Sequence, residues 1–242
     1  MGATEETFAR LARADGVVFS RGVSPAWLTN RGHLSNAIAD HLDAEHKAAI
    51  RSIHSALGGD ERLLVSKRSG SDPRLDFVLA EHALAVEVDE IQHFTTERLR
   101  TLDLYPPDAG LWFDTGAYRT LIGRWCKTAN RYRAAKPTVD FPFAGGRRAQ
   151  RAYFDAFRDL AAPSFRLCVL RIPAPATTRS VHKFGRGADL TDLKRDLVCG
   201  ALRPSGDSLV LLTESHHGGS GRATVSSPTR KEAQNVRVEV RA

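Results

Sequence analysis

The sequence predicts an α/β protein in which a mixed central β-sheet is flanked by helices. Two short apolar runs, 75–79 and 84–89, have the length and the alternation of apolar side chains expected of neighbouring strands. Apolar residues recur at helical spacing before them, within 29–57, and after them, within 147–162. A third apolar run, 165–172, follows the second of these helices. Helices on both sides of short strands are typical of a layered α/β domain.

The composition of the 242 residues is that of a globular protein, with 42% hydrophobic and 26% charged residues. The length suffices for one domain with a sizeable core, or for one domain that carries an insertion. Cys126, Cys168 and Cys199 lack CxxC spacing, which argues against a disulfide framework or a zinc site and fits a reducing compartment. No apolar run approaches the roughly 20 residues that cross a bilayer. The first residues also lack the features of a signal peptide, so we expect a cytoplasmic protein that does not contact membranes.

The elements before the acidic strands are predicted from spacing and capping. A short helix is expected at 5–14. A longer one is expected within 29–57, where Ser35 is a suitable N-cap and Gly58-Gly59 ends the helix. Residues 63–66, Leu-Leu-Val-Ser, are expected to form the first strand of the sheet.

Residues 75–89 predict a β-hairpin whose register follows from its apolar faces. Side chains alternate between the two faces of a strand, so a slip of one residue would expose the whole apolar set. A two-residue turn at Glu81-His82 matches the apolar faces, and a four-residue loop would preserve the same pairs. This register places Asp76 directly across from Glu87, on the face that also carries Asp89. The expected apolar partners are Leu79 with Leu84, Phe77 with Val86 and Leu75 with Val88.

Three carboxylates on strands that are expected to be buried need a partner, because burying an unpaired charge is costly. Facing like charges destabilise a strand pair by about 0.2–1 kcal/mol even at exposed sites. Mg2+ would remove this conflict between Asp76 and Glu87, since it is commonly held by one or two carboxylates together with water and substrate phosphate. The alternative is that both acids form salt bridges at the strand ends, with Arg74 or another cation.

The order of these residues resembles the PD-(D/E)XK nuclease superfamily. An aspartate on one strand, then the strand Leu84-Ala85-Val86-Glu87-Val88-Asp89 and then His93, is most similar to the branch of the very-short-patch-repair endonucleases and their bacterial relatives. The resemblance implies a restriction-endonuclease-like core. It also implies that Asp76 and Glu87 bind Mg2+, which Mn2+ could replace, with the backbone carbonyl of Val88 as a further ligand.

The sequence departs from the superfamily pattern at two positions. Asp89 stands where a lysine is normal, and Glu90 stands where relatives usually have glycine. Asp89 would then support the metal ion or position water, while Gln92 or His93 would act near the scissile phosphate, since a histidine can relay protons near neutral pH. The resemblance also implies a supporting acid on the preceding helix, for which the candidates are Asp40, Asp43 and Glu45.

The resemblance extends downstream to a basic helix that begins at Arg147 and to the strand at 165–172. A helix is expected to begin at Thr95 or Thr96, and residues 104–146 are interpreted as an insertion rich in aromatic and basic residues. The net charge of +7 favours a polyanionic partner. Cations interleaved with aromatic rings can grip phosphates and stack on bases. The candidate nucleic-acid-binding residues are Arg119, Arg124, Lys127, Arg131, Arg147, Arg148 and Arg151.

An alternative interpretation of the aromatic residues of the insertion, Trp112 and Trp125 among them, is that they form a small satellite core. For the chain as a whole we expect a restriction-endonuclease-like nuclease domain over 1–203, with the insertion at about 104–146, and a C-terminal strand extension with a flexible loop over 204–242. The expected elements of the C-terminal part are a closing helix at 189–199, strands at 208–213 and 236–240, and a loop at 215–231 rich in Gly, Ser and Thr.

These observations predict a Mg2+-dependent endonuclease that hydrolyses phosphodiester bonds of DNA, in repair or in defence. The missing lysine suggests an alternative from another class, a catalytically inactive nucleic-acid-binding protein on a nuclease scaffold. A third hypothesis, an interaction or structural protein, predicts neither DNA binding nor metal affinity. Because the scaffold offers one active site, a double-strand cut would require a homodimer or two separate nicks.

Overall fold

The computed structural model describes residues 3–14, 16–38, 40–67 and 72–175. They form a mixed sheet of four strands in the order β1-β2-β3-β4, with helices packed on it, as expected for an α/β protein. β1 and β3 both pair antiparallel with β2, whereas β4 runs parallel to β3. The strands are β1 (Ser20–Val23), β2 (Leu75–Leu79), β3 (Leu84–Glu90) and β4 (Cys168–Ala174). The helices are α1 (Ala3–Ala14), α2 (Ala44–Ala56), α3 (Glu61–Ser66), α4 (Thr96–Leu102), α5 (Thr115–Ala129) and α6 (Gly146–Ala161).

The hairpin of β2 and β3 has the predicted register, with Phe77 opposite Val86 and Leu79 opposite Leu84. Its connection is a four-residue loop rather than a two-residue turn. A short 3-10 turn, Ala80–His82, is followed by Ala83 in the left-handed region at φ 49°. Both loop lengths keep the same residues on the same face, so the alternation of apolar side chains was sufficient to fix the pairing.

Different helices cover the two faces of the sheet. α1 packs on one face, where the ring centroid of Phe8 lies 4.8 Å from that of Phe77 and 5.5 Å from that of Phe19. α6 packs on the other face, and its Tyr153 and Phe157 belong to a buried cluster that also contains residues of β2, β3, β4 and α2. Both helices influence the acids of the hairpin, since Arg158 of α6 contacts Glu87 and the charge of Glu5 of α1 acts on Asp76.

Residues 63–66 do not form the first strand, which corrects the sequence prediction. They lie in α3, because the Asp60 carboxylate accepts the N–H groups of Arg62 and Leu63 and caps this helix. The first strand is β1, a four-residue edge strand of sequence Ser-Arg-Gly-Val. One apolar residue in four gives no alternation signal, which is why this strand was missed.

The long helix expected within 29–57 is also shorter in the structure. Asp43 caps α2 by accepting the N–H of His46, so the helix begins at Ala44 rather than after Ser35. The preceding residues form two 3-10 turns, Gly32–Leu34 and Asn36–Ile38. The helix ends before Gly58, as predicted.

The segment 104–146 contains α5, which packs against α4 and builds a second apolar cluster around Phe94, Tyr118 and Ile122. Trp125 packs against this cluster, in agreement with the satellite-core interpretation. In the part of the chain that the structure describes, no helix is long and apolar enough to cross a membrane. The predicted helix at 189–199, the strands at 208–213 and 236–240, and the whole 204–242 extension lie outside the described residues.

Candidate functional site: an acid pair beside a basic pocket

Asp76 and Glu87 lie across from each other on β2 and β3, as the hairpin register predicted. The Asp76 N–H donates a hydrogen bond of 3.2 Å to Glu87 Oε1. In return, the Val88 N–H donates a hydrogen bond of 2.9 Å to Asp76 Oδ2. Each carboxylate is thus held by the backbone of the opposite strand, and the two acidic groups adjoin at one point of the sheet.

The environment of this acid pair disfavours two negative charges. Burial raises the pKa of the Glu87 carboxyl, which is only 3% exposed, to about 8. Burial also raises the pKa of Asp76 to about 6, and the negative charges of Glu5 and Asp89 act in the same direction. The guanidinium of Arg158 opposes both shifts; its Nε lies 3.5 Å from Glu87 Oε2. The charge of Arg171 also lowers the pKa of Glu87, so two arginines compensate the pair only in part.

The two carboxylates are suitable ligands for Mg2+, but they do not complete its coordination. Two adjoining hard carboxylates with raised pKa values would be stabilised by a divalent cation, and Mg2+ needs only one or two of them. Among the residues that the structure describes, no three His, Cys, Asp or Glu side chains converge on a common metal position. Water and substrate phosphate would have to supply the remaining ligands. The Val88 carbonyl adjoins the pair, since Val88 N–H already binds Asp76.

The helical acid whose charge reaches Asp76 is Glu5, on α1, and it was not among the candidates for a supporting acid. Its negative charge contributes to the raised pKa of Asp76. The expected candidates came from a different helix. Asp43 is engaged as the N-cap of α2, and Asp40 and Glu45 are exposed. The signal for Glu5 was weak because contact between α1 and the sheet is a tertiary feature.

Asp89 lies deeper than the acid pair and is neutralised within the protein. Its Oδ1 and Oδ2 lie 2.9 and 3.0 Å from Arg171 Nη1, and the Tyr118 hydroxyl donates to Oδ2 at 2.8 Å. The residue is 1% exposed. Both oxygens of Asp89 are therefore committed to partners in the core, which leaves little capacity for binding a metal ion or orienting a water.

Arg171 is the centre of a buried network of charges that sequence reasoning missed. Its Nε donates to Asp159 Oδ1 at 2.7 Å, and Asp159 Oδ2 in turn accepts from Arg98 Nη2 at 2.6 Å. The Tyr105 hydroxyl donates to the same oxygen. An arginine inside an otherwise apolar strand was the available signal, because a charge in that position requires buried partners.

His93 is oriented by two acids at the edge of this network. Its Nδ1 lies 2.8 Å from Asp155 Oδ2 and 3.3 Å from Asp89 Oδ1, and its side chain is 17% exposed. Burial alone would raise the pKa of Asp155, but the charges of His93 and Arg171 hold it well below its usual range. Asp155 is therefore a carboxylate that fixes the ring of His93.

The side chain of Gln92 has different partners from those of His93 and Asp89. Its side-chain amide donates to Glu90 Oε2 at 2.9 Å, and the Thr4 hydroxyl of α1 donates to the other oxygen of the same carboxylate. This places Gln92 with the α1 contacts and not with Asp155 and Arg171, which hold His93 and Asp89.

A pocket of about 610 Å³ lies beside this group of residues. His93 and Arg158 form part of its wall, so the pocket is connected to the acid pair through Arg158, which contacts Glu87. Asp72 and Asp155 are its acidic lining residues, whereas the basic ones are Lys67, Arg133, Lys136, Arg147, Arg151 and Arg158.

The predicted nucleic-acid-binding cations fall into three groups. Arg147 and Arg151 line the pocket. Arg148 pairs with Glu97 and Arg119 pairs with Asp103, so these two cations have partners within the protein. The remaining three are exposed on α5 and just beyond its end, with the Arg124 guanidinium over the Trp125 ring; they are Arg124, Lys127 and Arg131.

Comparison of the chain with protein-family models, with curated proteins and with solved structures found no match. The likeness to the PD-(D/E)XK nucleases therefore remains a prediction based on the motif of the acidic hairpin.

Proposed function

We propose that the protein is a metal-dependent endonuclease of the PD-(D/E)XK type that hydrolyses DNA phosphodiester bonds. The observation that carries this proposal is the acid pair of half-buried Asp76 and buried Glu87, whose charges nearby arginines compensate only in part. Two neighbouring carboxylates with raised pKa values lower the stability of the folded protein. Titratable groups with such shifted pKa values beside a cleft are commonly part of a functional site.

Asp76 and Glu87 would hold Mg2+ or Mn2+. When bound there, the ion would polarise the phosphodiester and favour ionisation of a water molecule. The chain itself would bind and orient the substrate. Arg158, which contacts Glu87 and lines the basic pocket, would stabilise negative charge on the phosphate. It would supply near the acid pair the positive charge that a lysine supplies elsewhere in the superfamily.

His93 is the candidate for proton transfer near the scissile phosphate. Asp155 fixes its Nδ1, so the ring is held in one orientation beside the pocket. A group of this kind can exchange a proton with an attacking water or with the leaving oxygen. Asp89 serves as a positioning residue in this scheme, because it lies 3.3 Å from the same nitrogen of His93 and is itself anchored by Arg171.

The direct test is cleavage of supercoiled plasmid DNA by the full chain with Mg2+, with Mn2+ and with EDTA. We expect nicked or linear product with either metal and none with EDTA. Asp76→Asn should reduce cleavage to the level of the EDTA control, while Asp108→Asn, a matched change at an exposed position, should leave it unchanged. Wild-type protein that leaves DNA and RNA intact with every metal would contradict the proposal.

A second candidate function is a nucleic-acid-binding protein that has lost catalysis. The observation that favours it is the commitment of Asp89 to Arg171 at the position of the missing lysine. This candidate predicts DNA binding that weakens with salt and is retained in Asp76→Asn, with no cleavage by either protein. The plasmid assay and a binding measurement on the same two proteins separate the candidates.

A further inference from the structure

The basic pocket carries more positive charge than its acidic residues can balance. None of the ion pairs in the described part of the chain involves Arg133, Lys136, Arg147 or Arg151. The acidic residue Asp155 is already shared among His93, Arg158 and Arg171. The other, Asp72, accepts the backbone N–H of Asn30.

The cations of the pocket are close enough to disfavour one another. Burial lowers the pKa of Arg147, and the charge of Arg133 lowers it further. Burial likewise lowers the pKa of Arg151; the charge of Asp155 opposes this shift, whereas the charges of Arg147 and Arg133 add to it. Like charges that are gathered in a concave site with too few counterions indicate a site for an anion, because the anion offsets both burial and repulsion.

The pocket has the size and the lining of a site for a single nucleotide. Its volume of about 610 Å³ falls within the roughly 300–1,000 Å³ of small-molecule sites. Phe154 forms part of the wall, and the ring of Tyr132, which is 39% exposed, lies 5.3 and 5.5 Å from the guanidinium carbons of Arg133 and Arg151. Aromatic rings beside phosphate-binding cations are the components that hold unpaired bases. A nucleotide stacked within a duplex could not enter such a pocket without leaving the stack.

We infer that this pocket binds one unpaired nucleotide of the substrate strand through its phosphate, so that single-stranded or frayed DNA is preferred over intact duplex. The inference rests on the proposed nuclease function, and it adds the class of substrate. Arg158 belongs both to the pocket wall and to the surroundings of the acid pair, so the bound nucleotide would flank the scissile phosphate. The phosphate can come from a 5′ strand end or from an internal nucleotide.

The test is a binding measurement by fluorescence anisotropy in EDTA, with no cleavage required. The probes are a labelled single strand of about 12 nucleotides, with and without a 5′-phosphate, and the blunt duplex of the same sequence. We expect the single strand to bind at least about tenfold more tightly than the duplex, a difference of about 1.4 kcal/mol. A clear gain from the 5′-phosphate assigns the pocket to a strand end, and equal binding assigns it to an internal nucleotide.

The double variant Arg147→Gln, Arg151→Gln should lose about tenfold in affinity for the single strand. It should also reduce the slope of log affinity against log salt by about 0.7, the value for one phosphate contact on a single strand. Lys136→Gln, at an exposed loop position of the pocket, should act in the same direction with less risk to folding. Arg10→Gln, at an exposed position of α1 outside the pocket, should match wild type.

Equal or tighter binding of the duplex would overturn the inference, and so would wild-type single-strand affinity in both pocket variants. Because binding is measured without metal, these results are independent of the plasmid assay. Single-strand preference without cleavage by any metal would overturn the nuclease proposal alone. Metal-dependent cleavage without single-strand preference would overturn the pocket assignment alone.

Discussion

Replacing Glu87 with glutamine should make the protein harder to unfold at alkaline pH when divalent cations are absent. Burial raises the pKa of this carboxyl from 4.5 to about 8. Between these two values the unfolded chain has released a proton that the folded protein still retains, so the free energy of unfolding falls as the pH rises. At 1.36 kcal/mol per pKa unit, the loss is about 5 kcal/mol, and it is complete above about pH 8. Glutamine has the same shape without the charge, and its carbonyl oxygen can still accept the Asp76 N–H.

The assay is urea unfolding followed by circular dichroism, in EDTA, from about pH 5 to about pH 9. The stability of Glu87→Gln relative to wild type should rise across this range by about 4 kcal/mol, since the rest of the loss lies below pH 5. Addition of Mg2+ at the alkaline end should restore stability to wild type and not to the variant, since only the ionised pair binds the cation. Glu81→Gln is a matched control on the exposed turn of the same hairpin and should stay within about 0.5 kcal/mol of wild type.

Two results would refute this reasoning. A stability difference that stays within about 1 kcal/mol across the pH range would show that Glu87 sits in an ordinary salt bridge, with no cost of ionisation left for a metal to relieve. Mg2+ that stabilises Glu87→Gln as much as wild type would show that the cation acts elsewhere on the protein.

Three further predictions concern residues around the site. His54 is fully buried and burial lowers its pKa to about 4, so its contribution to stability should fall as the pH drops from about 6.5 toward 4, and in urea titrations the stability of His54→Leu relative to wild type should be greater at pH 4.5 than at pH 7. Asp159→Asn should reduce the free energy of unfolding by about 3–5 kcal/mol, because Arg171 would keep a buried charge with one carboxylate fewer; a loss below about 1 kcal/mol would contradict the network. Gly146→Ala should destabilise or prevent folding, since a Cβ there would lie 1.9 Å from the backbone oxygen of Phe141, and a melting temperature equal to that of wild type would show that the start of α6 is placed wrongly.

The hairpin that carries the acid pair was predictable because local pattern determines it. Alternation of apolar residues in two neighbouring segments allows one register only, and that register sets Asp76 against Glu87. The helix 147–162 and the following strand were predictable for the same reason, and α6 and β4 occupy nearly these residues. The predicted start of the next helix is also confirmed: α4 begins at Thr96, and the Thr95 side chain caps it by accepting the N–H of Arg98.

Prediction from the local pattern of residues was wrong where a capping side chain competed with that pattern, and it gave no result where the element was too short to show a pattern. Leu63 and Leu64 resemble a strand by composition, yet the Asp60 cap makes them helical. Ser35 is a good N-cap by residue type, but Asp43 begins the helix. A capping side chain accepts backbone N–H groups of the first helical turn that would otherwise be unsatisfied. Several segments of the sequence contain a residue of this type, so residue type alone does not show where a helix begins.

The sequence by itself determined which acids face one another across two strands, because strand geometry fixes that relation within a dozen residues. It could not determine which of those acids would be neutralised. Asp89 forms an ion pair with Arg171, 82 residues away, whereas Glu87 has a longer contact of 3.5 Å with Arg158 and the pKa values of both Asp76 and Glu87 stay raised. The energy of a buried charge depends on every charge and on the amount of water around it, so long-range packing alone separated the structural carboxylate from the candidate metal ligands.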